Sequence, residues 1–235
     1  MLFCITILSA QEFSMDLIKN MKPRNIGPGG MSGRVTAIDV VTSNPDVIYV
    51  GTASGGLWKS TSGGIKWDPI FDNEVTGSIG ALAIQQSNPS VIWVGTGEGN
   101  PRNSLNGGYG IYKSLDAGAT WQSMGLEKTR NIHRLILHPT NAQIAWVAAI
   151  GSPWGEHLEK GVYKTMDGGK TWERILHISE NTGISDIIFD PQNPDILLVS
   201  SYQRRRHVGK LVAGGPNGGI WKSTDAGKNW TNGKT

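Results

Sequence analysis

The sequence predicts an all-β protein built from four-stranded propeller blades, and composition and a recurring phrase carry that prediction. The 235 residues include 32 glycines and nine tryptophans but only 17% charged residues. This composition is typical of many short strands joined by tight turns. KSTSGGIKW, KSLDAGATW, KTMDGGKTW and KSTDAGKNW begin at residues 59, 113, 164 and 222. Their spacings of 54, 51 and 58 residues indicate a repeating architecture.

Each phrase closes a longer unit that contains four predicted strands. The first unit has RVTAIDV, VIYVGT and GLWKS before its tryptophan, and the second has SIGALAI, VIWVGT and GIYKS. The third has IHRLIL, IAWVAA and GVYKT, and the fourth has ISDIIF, ILLVSS and GIWKS. Such runs of Val, Ile and aromatics between Asn-Pro or Gly turns are typical of strands. Four strands per unit of about 50 residues predict propeller blades. We expect blades at about 34–70, 78–124, 132–175 and 184–233, after a lead-in at 21–33.

The recurring phrase is interpreted as a hairpin turn rather than as a catalytic motif. In S/T-x-D-x-G-x-x-W the carboxylate can accept hydrogen bonds from backbone N–H groups of its own turn. The glycine takes a positive φ that other residues resist, and the tryptophan returns to the core. The residues expected to hold these turns are Ser60, Gly64 and Trp67; Ser114, Asp116, Gly118 and Trp121; Thr165, Asp167, Gly169 and Trp172; and Ser223, Asp225, Gly227 and Trp230.

These motifs resemble the bacterial neuraminidase repeat, or Asp-box, β-propeller family. The second and third phrases match the Asp box in full, whereas Ser62 replaces Asp in the first and Asn229 replaces Thr in the fourth. IGPGGMSGRVTAI (26–38) and VGTASGGLWKST (50–61) look closest to large exported bacterial proteins described as sortilin-like or glycosyl-hydrolase-like. Because rings of this family usually have more than four blades, we expect part of a larger ring, with further blades or domains after residue 235. The alternative is a closed four-bladed ring.

The N-terminal segment, residues 1–20, predicts export. Residues 2–10 are apolar, too short to span a bilayer, and end in small residues as a signal peptide does, although a basic start is missing. The alternative is a buried or frayed N-terminal segment. We therefore expect a bacterial-like exported protein (periplasmic, cell-surface or secreted) that does not span the membrane.

The links between the second and third strands are predicted to carry a ligand site. Strand order places them on one face, opposite the Asp boxes and the turns between strands one and two. The link has four residues in the first unit but covers 97–110, 151–161 and 201–219 in the others. Long loops on a rigid scaffold are where binding residues concentrate. The candidates are Arg34, Glu98, Arg102, Asn103, Trp154, Glu156, His157, Tyr202, Arg204, Arg205 and Arg206.

These residue types suit a glycan, a peptide or a partner protein. An aromatic face with polar neighbours suits sugars, and an arginine cluster suits carboxylates or sulfates. Structural alternatives exist: 204–207 as a solvated loop, Trp154 as a pin for its own loop, and Arg34 as a capping or ion-pairing residue instead of a channel residue. Arg134 and Asp186 occupy equivalent positions in adjacent units, which predicts a structural ion pair.

Other kinds of site are not indicated. The formal charge of +3 is mild, and no basic stripe interleaved with aromatics suggests nucleic acid. The five histidines lack metal-ligand spacing. The glycine-rich segments lack the Lys-Ser/Thr of a phosphate loop, and no serine lies in G-x-S-x-G. We expect no metal, no cofactor and no nucleic-acid partner.

Three functions remain open, and a binding module on the loop face is favoured. A glycoside hydrolase needs two carboxylates, about 5–5.5 Å apart for retention or about 6.5–9.5 Å apart for inversion. Resemblance to two-propeller xyloglucanases implies a catalytic Asp in T-D-I/V-G-G after the second strand of the first blade. Residues 52–56 read TASGG, so Ala53 stands at that position and disfavours catalysis. The third function is an assembly scaffold, for which a basic patch on the loop face would be suitable.

Overall fold

The computed structural model describes Ser14, Asp16 and residues 34–233. The export prediction for residues 1–20 and the lead-in at 21–33 lie outside the described residues, apart from Ser14 and Asp16. Residues 34–233 form β-strands, turns and a short 3-10 helix at Glu127–Thr129.

Four antiparallel sheets take up the strands in chain order. The first sheet contains β1 (Val35–Val40), β2 (Ile48–Thr52), β3 (Leu57–Ser60) and β4 (Asp68–Pro69). The second contains β5 (Ile79–Ile84), β6 (Ile92–Thr96), β7 (Ile111–Ser114) and β8 (Gln122–Ser123). The third contains β9 (Ile132–Leu137), β10 (Ala145–Ala149), β11 (Gly161–Thr165) and β12 (Glu173–Leu176). This topology confirms the predicted all-β class and its four-stranded blades.

The fourth sheet contains β13 (Thr182–Asp190), β14 (Asn193–His207), β16 (Gly219–Ser223) and β17 (Thr231–Asn232). A further strand, β15 (Lys210–Ala213), pairs with the end of β14. The prediction of a plain loop at 201–219 was therefore wrong, because much of it is a β-hairpin. Gly209, with φ 72, lets the chain reverse between β14 and β15.

Successive blades are held together by apolar side chains of the innermost strands. Three hydrophobic clusters lie between consecutive sheets. Ile79 of the second blade is fully buried beside Gly51 of the first, where an added Cβ would come 2.5 Å from the Ile79 side chain. Gly95 and Ile132 repeat this contact between the second and third blades, again at 2.5 Å. Burying one such isoleucine contributes about 1.5–3 kcal/mol.

The first and fourth sheets each have one face that packs against no other described blade, and apolar side chains on that face are exposed to solvent. Val35 is exposed, whereas Ile79, at the equivalent position of the second blade, is buried. Ile220 of β16 is exposed, whereas Leu57 of β3 is buried. The two end sheets thus present apolar side chains of the kind that are buried between the blades.

The Asp boxes form the hairpins that the sequence predicts. The Ser114 hydroxyl donates to Asp116 Oδ1 (2.7 Å) and accepts from the Gly118 N–H (2.8 Å). Asp116 also accepts from the backbone N–H and the hydroxyl of Thr120, at 2.8 and 2.5 Å. Gly118 has φ 91, a backbone conformation that glycine adopts more readily than other residues, and this lets the chain turn tightly. The third and fourth boxes repeat this network.

The box also contacts the turn between the first two strands of its own blade. The Ala117 N–H donates to the Ser90 carbonyl at 2.8 Å, and Gly168 bonds to Gln143 in the same way at 2.9 Å. Both turns of a blade therefore lie at the same end of the sheet, and the links between the second and third strands leave from the other end.

The four box tryptophans are half-buried, whereas the sequence predicts that they are largely buried. Each tryptophan precedes the outermost strand of its blade. In the first, second and fourth blades this strand has only two residues, so it covers the indole ring incompletely. Three of them reach into the preceding blade: Trp121, Trp172 and Trp230 donate to the carbonyls of Ile70, Met124 and Ile175.

Candidate functional site

Links from three blades contact one another at the strand ends opposite the Asp boxes. We call this the loop face and define it by loop two (97–110), loop three (151–161) and hairpin four (201–219). Arg204 Nη1 of hairpin four donates to the Gly99 carbonyl of loop two at 2.7 Å. The Arg206 N–H donates to the Pro153 carbonyl of loop three at 2.8 Å. The rigid blades thus bring three separate chain segments together.

Glu98, whose side chain is buried, forms an ion pair with the half-buried Arg34. Arg34 Nε lies 2.8 Å from Glu98 Oε1, and Nη2 lies 2.5 Å from Oε2. The Glu98 side chain is 0% exposed and that of Arg34 is 35% exposed. The hydrogen bond to Glu98 raises the pKa of Arg34. Because both carboxylate oxygens are engaged, Glu98 is poorly placed to act on a ligand, and the ion-pairing alternative for Arg34 is confirmed.

Asn131 fixes the backbone that carries Glu98. Its side-chain nitrogen donates to the Glu98 carbonyl at 2.7 Å and to the Asn106 carbonyl at 3.3 Å. Its own backbone carbonyl accepts from Ile150 and Gly151, both at 3.1 Å. Asn131 thus joins loop two to the start of loop three. Sequence reasoning missed it, because it lies just before a strand and outside the long links.

Arg204 lies in the interior of the loop face and is only 3% exposed. The solvated-loop interpretation of 204–207 was therefore wrong for Arg204. Burial lowers the pKa of the Arg204 guanidinium, against the opposing influence of Tyr202 and Glu98. Arg204 also contributes, after burial itself, to the lowered pKa of His133. Arg204, the first arginine of the predicted cluster, therefore links two blades instead of facing solvent.

Arg205 forms the second cationic contact of hairpin four. Its Nη2 hydrogen-bonds the Asn181 side-chain oxygen and lies 3.9 Å from Glu156 Oε1. The Asn181 side-chain nitrogen in turn donates to Glu156 Oε1 at 3.3 Å. Glu156 is 63% exposed, so this contact is open to solvent and weak. The arrangement brings together Glu156 of loop three and Arg205 of hairpin four, a pairing that the sequence did not predict.

Lys160 is a buried cation that sequence reasoning missed. It is 2% exposed at the end of loop three. Burial lowers its pKa to about 8, and Arg205 and Arg204 add to that effect, whereas Glu156 opposes it. Lysine is usually solvent-exposed, and neither its spacing nor its neighbours in the sequence indicated burial.

The remaining candidates lie nearer to solvent. Trp154 is 47% exposed, and its backbone N–H donates to Ser152 Oγ at 3.3 Å. Arg102 and Asn103 are exposed in loop two. The other three candidates are half-buried: His157, Tyr202 and Arg206. Burial is the largest cause of the lowered pKa of His157.

Arg134 and Asp186 form the ion pair that their equivalent positions predict, with Arg134 Nε 3.4 Å from Asp186 Oδ1. Both side chains are more than half exposed, so the pair contributes little to stability. Arg134 and His133 line a cavity of about 40 Å³ near the innermost strands. This cavity has room for a few water molecules but is small for a sugar.

The described part of the chain shows neither a metal cluster nor a helical membrane span. Residues 34–233, with Ser14 and Asp16, contain no group of three or more His, Cys, Asp or Glu side chains arranged to hold a metal ion. Within the same residues, no helix has the length and apolar character needed to cross a membrane.

Comparison with known proteins agrees with this architecture. Residues 109–235 match the Sortilin-Vps10 family model, described as "Sortilin, neurotensin receptor 3". The chain is 27% identical over 238 residues to the xyloglucanase Xgh74A of Acetivibrio thermocellus, covering 91% of this chain and 27% of the relative. It is 26% identical over 225 residues to a xyloglucanase of Hypocrea jecorina, covering 87% of this chain and 26% of the relative. The chain thus spans about a quarter of the length of these relatives.

A solved structure agrees at the level of the fold. The GH74 enzyme of Niastella koreensis superposes with a TM-score of 0.62 at 24% identity, covering 84% of this chain and 29% of that chain. The similarity to sortilin-like and glycosyl-hydrolase-like propellers that the sequence motifs indicated is confirmed.

Proposed function

This chain belongs to the Sortilin-Vps10 family, and we propose that its propeller blades bind a polysaccharide on the loop face. The observation that carries the proposal is the half-exposed Trp154 ring beside the place where segments of three blades meet. An aromatic ring presents an apolar face that can cover the ring of a sugar. The nearby Glu156 and the exposed Asn103 supply groups able to hydrogen-bond hydroxyls. The class of ligand follows from the relatives, whose names describe enzymes acting on a polysaccharide.

Affinity electrophoresis in gels that contain xyloglucan, galactan or polygalacturonate tests this proposal. The purified protein should be retarded by at least one of these polymers, and Trp154→Ala should remove most of the retardation. The matched control is Met166→Ala, which truncates an exposed apolar side chain on the Asp-box side. Retardation that survives Trp154→Ala, or no retardation by any polymer, would contradict the proposal.

A glycoside hydrolase is the second candidate, because two relatives are named xyloglucanases. Glu98 is unfavourable for this chemistry, because Arg34 occupies its carboxylate and no part of its side chain is exposed. Ala53 is buried and offers no carboxylate. Glu156 is the exposed acid of the loop face. Release of reducing ends from xyloglucan that is abolished by Glu156→Gln would favour hydrolysis over simple binding.

We also propose that the protein is exported, on the basis of the apolar residues 2–10. Cleavage after this run would remove the single cysteine, Cys4. Expression of the full chain in a bacterial host and N-terminal sequencing of the product would test this. An unprocessed N-terminus on a cytoplasmic product would contradict export.

A further inference from the structure

The Arg204 guanidinium is buried but only partly bonded. Its Nη1 donates to the Gly99 carbonyl. Its Nε and Nη2 are buried, and neither finds a hydrogen-bond partner among residues 34–233. A buried polar group without a partner costs free energy, and a charged one costs more. Arg204 therefore carries two donors suited to an acceptor from outside the described chain.

The two free nitrogens form one edge of the guanidinium fork. Arg34 shows in the same protein what such an edge binds, since its Nε and Nη2 hold the two oxygens of Glu98 at 2.8 and 2.5 Å. Two parallel N–H groups match the two oxygens of a planar carboxylate. In Arg204 the same two nitrogens, Nε and Nη2, have no partner among the described residues. They therefore have the geometry to bind a second carboxylate.

The charge around Arg204 also favours an anion. Arg205 and Lys160 lie near enough to influence one another electrostatically, and Arg205 Nε is another buried donor without a partner in the described residues. Among the described residues, the carboxylates that act on Arg204 and Lys160 are Glu98 and Glu156, respectively. Glu98 is already neutralised by Arg34, and Glu156 is mostly exposed and 3.9 Å from Arg205. Three cations therefore share one weakly placed carboxylate, which is unfavourable unless another anion joins them.

We propose that Arg204, Arg205 and Lys160 form a subsite for the carboxylate of a uronic-acid residue. The polysaccharide bound on the loop face is then acidic rather than neutral, an inference that rests on the proposed function. The carboxylate would enter by displacement of hairpin four, whose tip at Val208 is fully exposed and which is tied to loop three through Arg206 and Pro153.

Isothermal titration with trigalacturonate and with its fully methyl-esterified form tests the subsite, because esterification removes the charge and leaves the sugar unchanged. The wild-type protein should bind the acid at least tenfold more tightly than the ester. Arg204→Gln should weaken binding of the acid by about tenfold to hundredfold, as expected for loss of a charge-assisted bidentate contact. Binding of the ester should stay unchanged.

Two further variants make the result specific. Lys210→Gln removes a positive charge from an exposed position of hairpin four and should leave binding of the acid within twofold. Lys160→Met removes a buried charge without leaving a carboxylate unpaired, so it remains informative if Arg204→Gln fails to fold. It should also weaken binding of the acid, by severalfold.

The outcomes separate this inference from the proposed function. Equal binding of acid and ester, or of acid to wild type and to folded Arg204→Gln, would overturn the subsite and leave polysaccharide binding intact. Binding of xyloglucan with no binding of trigalacturonate would likewise overturn the subsite alone. Binding of a peptide through its C-terminal carboxylate, with no binding of any polysaccharide, would overturn both.

Discussion

The indole nitrogen of Trp121 donates a 2.7 Å hydrogen bond to the carbonyl oxygen of Ile70, which belongs to the preceding blade. Trp172 makes the equivalent bond to Met124 at 2.7 Å. The Asp box therefore acts twice. It closes the hairpin of its own blade and ties that blade to the preceding one.

We expect Trp172→Phe to destabilise the protein by about 1 kcal/mol or more, because the phenyl ring cannot donate to Met124 and fills less space. Urea denaturation followed by circular dichroism would measure the change. The control is Trp154→Phe, at a half-exposed ring on the loop face, which should change stability little. Equal midpoints for Trp172→Phe and wild type would show that the bond between blades contributes nothing.

The sequence predicts the turn but not this second role of the tryptophan. The spacing of Ser114, Asp116 and Gly118 defines a local hydrogen-bond network, and local networks can be read from a single repeat. The acceptor of Trp121 lies 51 residues earlier, at a backbone carbonyl that any residue could supply. Nothing in the identity of Ile70 marks it as that acceptor. Such contacts between repeats can therefore be identified only in the three-dimensional structure.

The first Asp box is the weakest by composition, and we expect Ser62→Asp to stabilise it. Ser62 Oγ accepts from the Lys66 N–H at 2.9 Å, whereas Asp116 accepts from both the N–H and the hydroxyl of Thr120. An aspartate at 62 would add an acceptor and a charge near Lys66. The melting temperature should rise in Ser62→Asp and fall by a larger amount in the reverse change, Asp116→Ser. A lower melting temperature for Ser62→Asp would contradict this account.

The ion pair between half-buried Arg34 and buried Glu98 predicts strong coupling between these two residues. Arg34→Gln would leave the Glu98 carboxylate buried without its partner and should cost about 3 kcal/mol. The double variant with Glu98→Gln should recover part of that loss, because no buried charge remains. Chemical denaturation of both single variants and the double variant would give the coupling energy. Arg102→Gln, at an exposed position of loop two, is the control.

The loop face could be predicted in outline but not in its chemistry. Strand alternation places loop two, loop three and hairpin four at the same end of their sheets, and residue type alone suggests Trp154 and the arginines. The burial of Arg204 and Lys160 could not be predicted from the sequence. Arg204 and Lys160 are hydrophilic residues in glycine-rich links, which ordinarily predicts solvent exposure. Arg204, for example, contacts the Gly99 carbonyl, which lies 105 residues earlier in the chain.

The last prediction concerns the dependence of stability on pH that Lys160 should cause. Burial and the neighbouring Arg205 and Arg204 lower its pKa to about 8, from 10.5 for an ordinary lysine. Between these two pH values, Lys160 binds fewer protons in the folded protein than in the unfolded chain. The contribution of Lys160 to stability should therefore rise as the pH increases from about 8 to 10.5.

At pH 7 the charged Lys160 is buried at a cost, which Glu156 offsets only in part. Lys160→Met should therefore raise the free energy of unfolding at pH 7 by about 1–3 kcal/mol. It should also remove the rise that wild type shows toward pH 10. Urea denaturation at pH 7 and pH 10 would measure both effects, with the exposed Lys210→Met as control. A destabilised Lys160→Met at pH 7 would mean that the ammonium group has a partner strong enough to outweigh its burial, and the same result would weaken the case for an anion subsite.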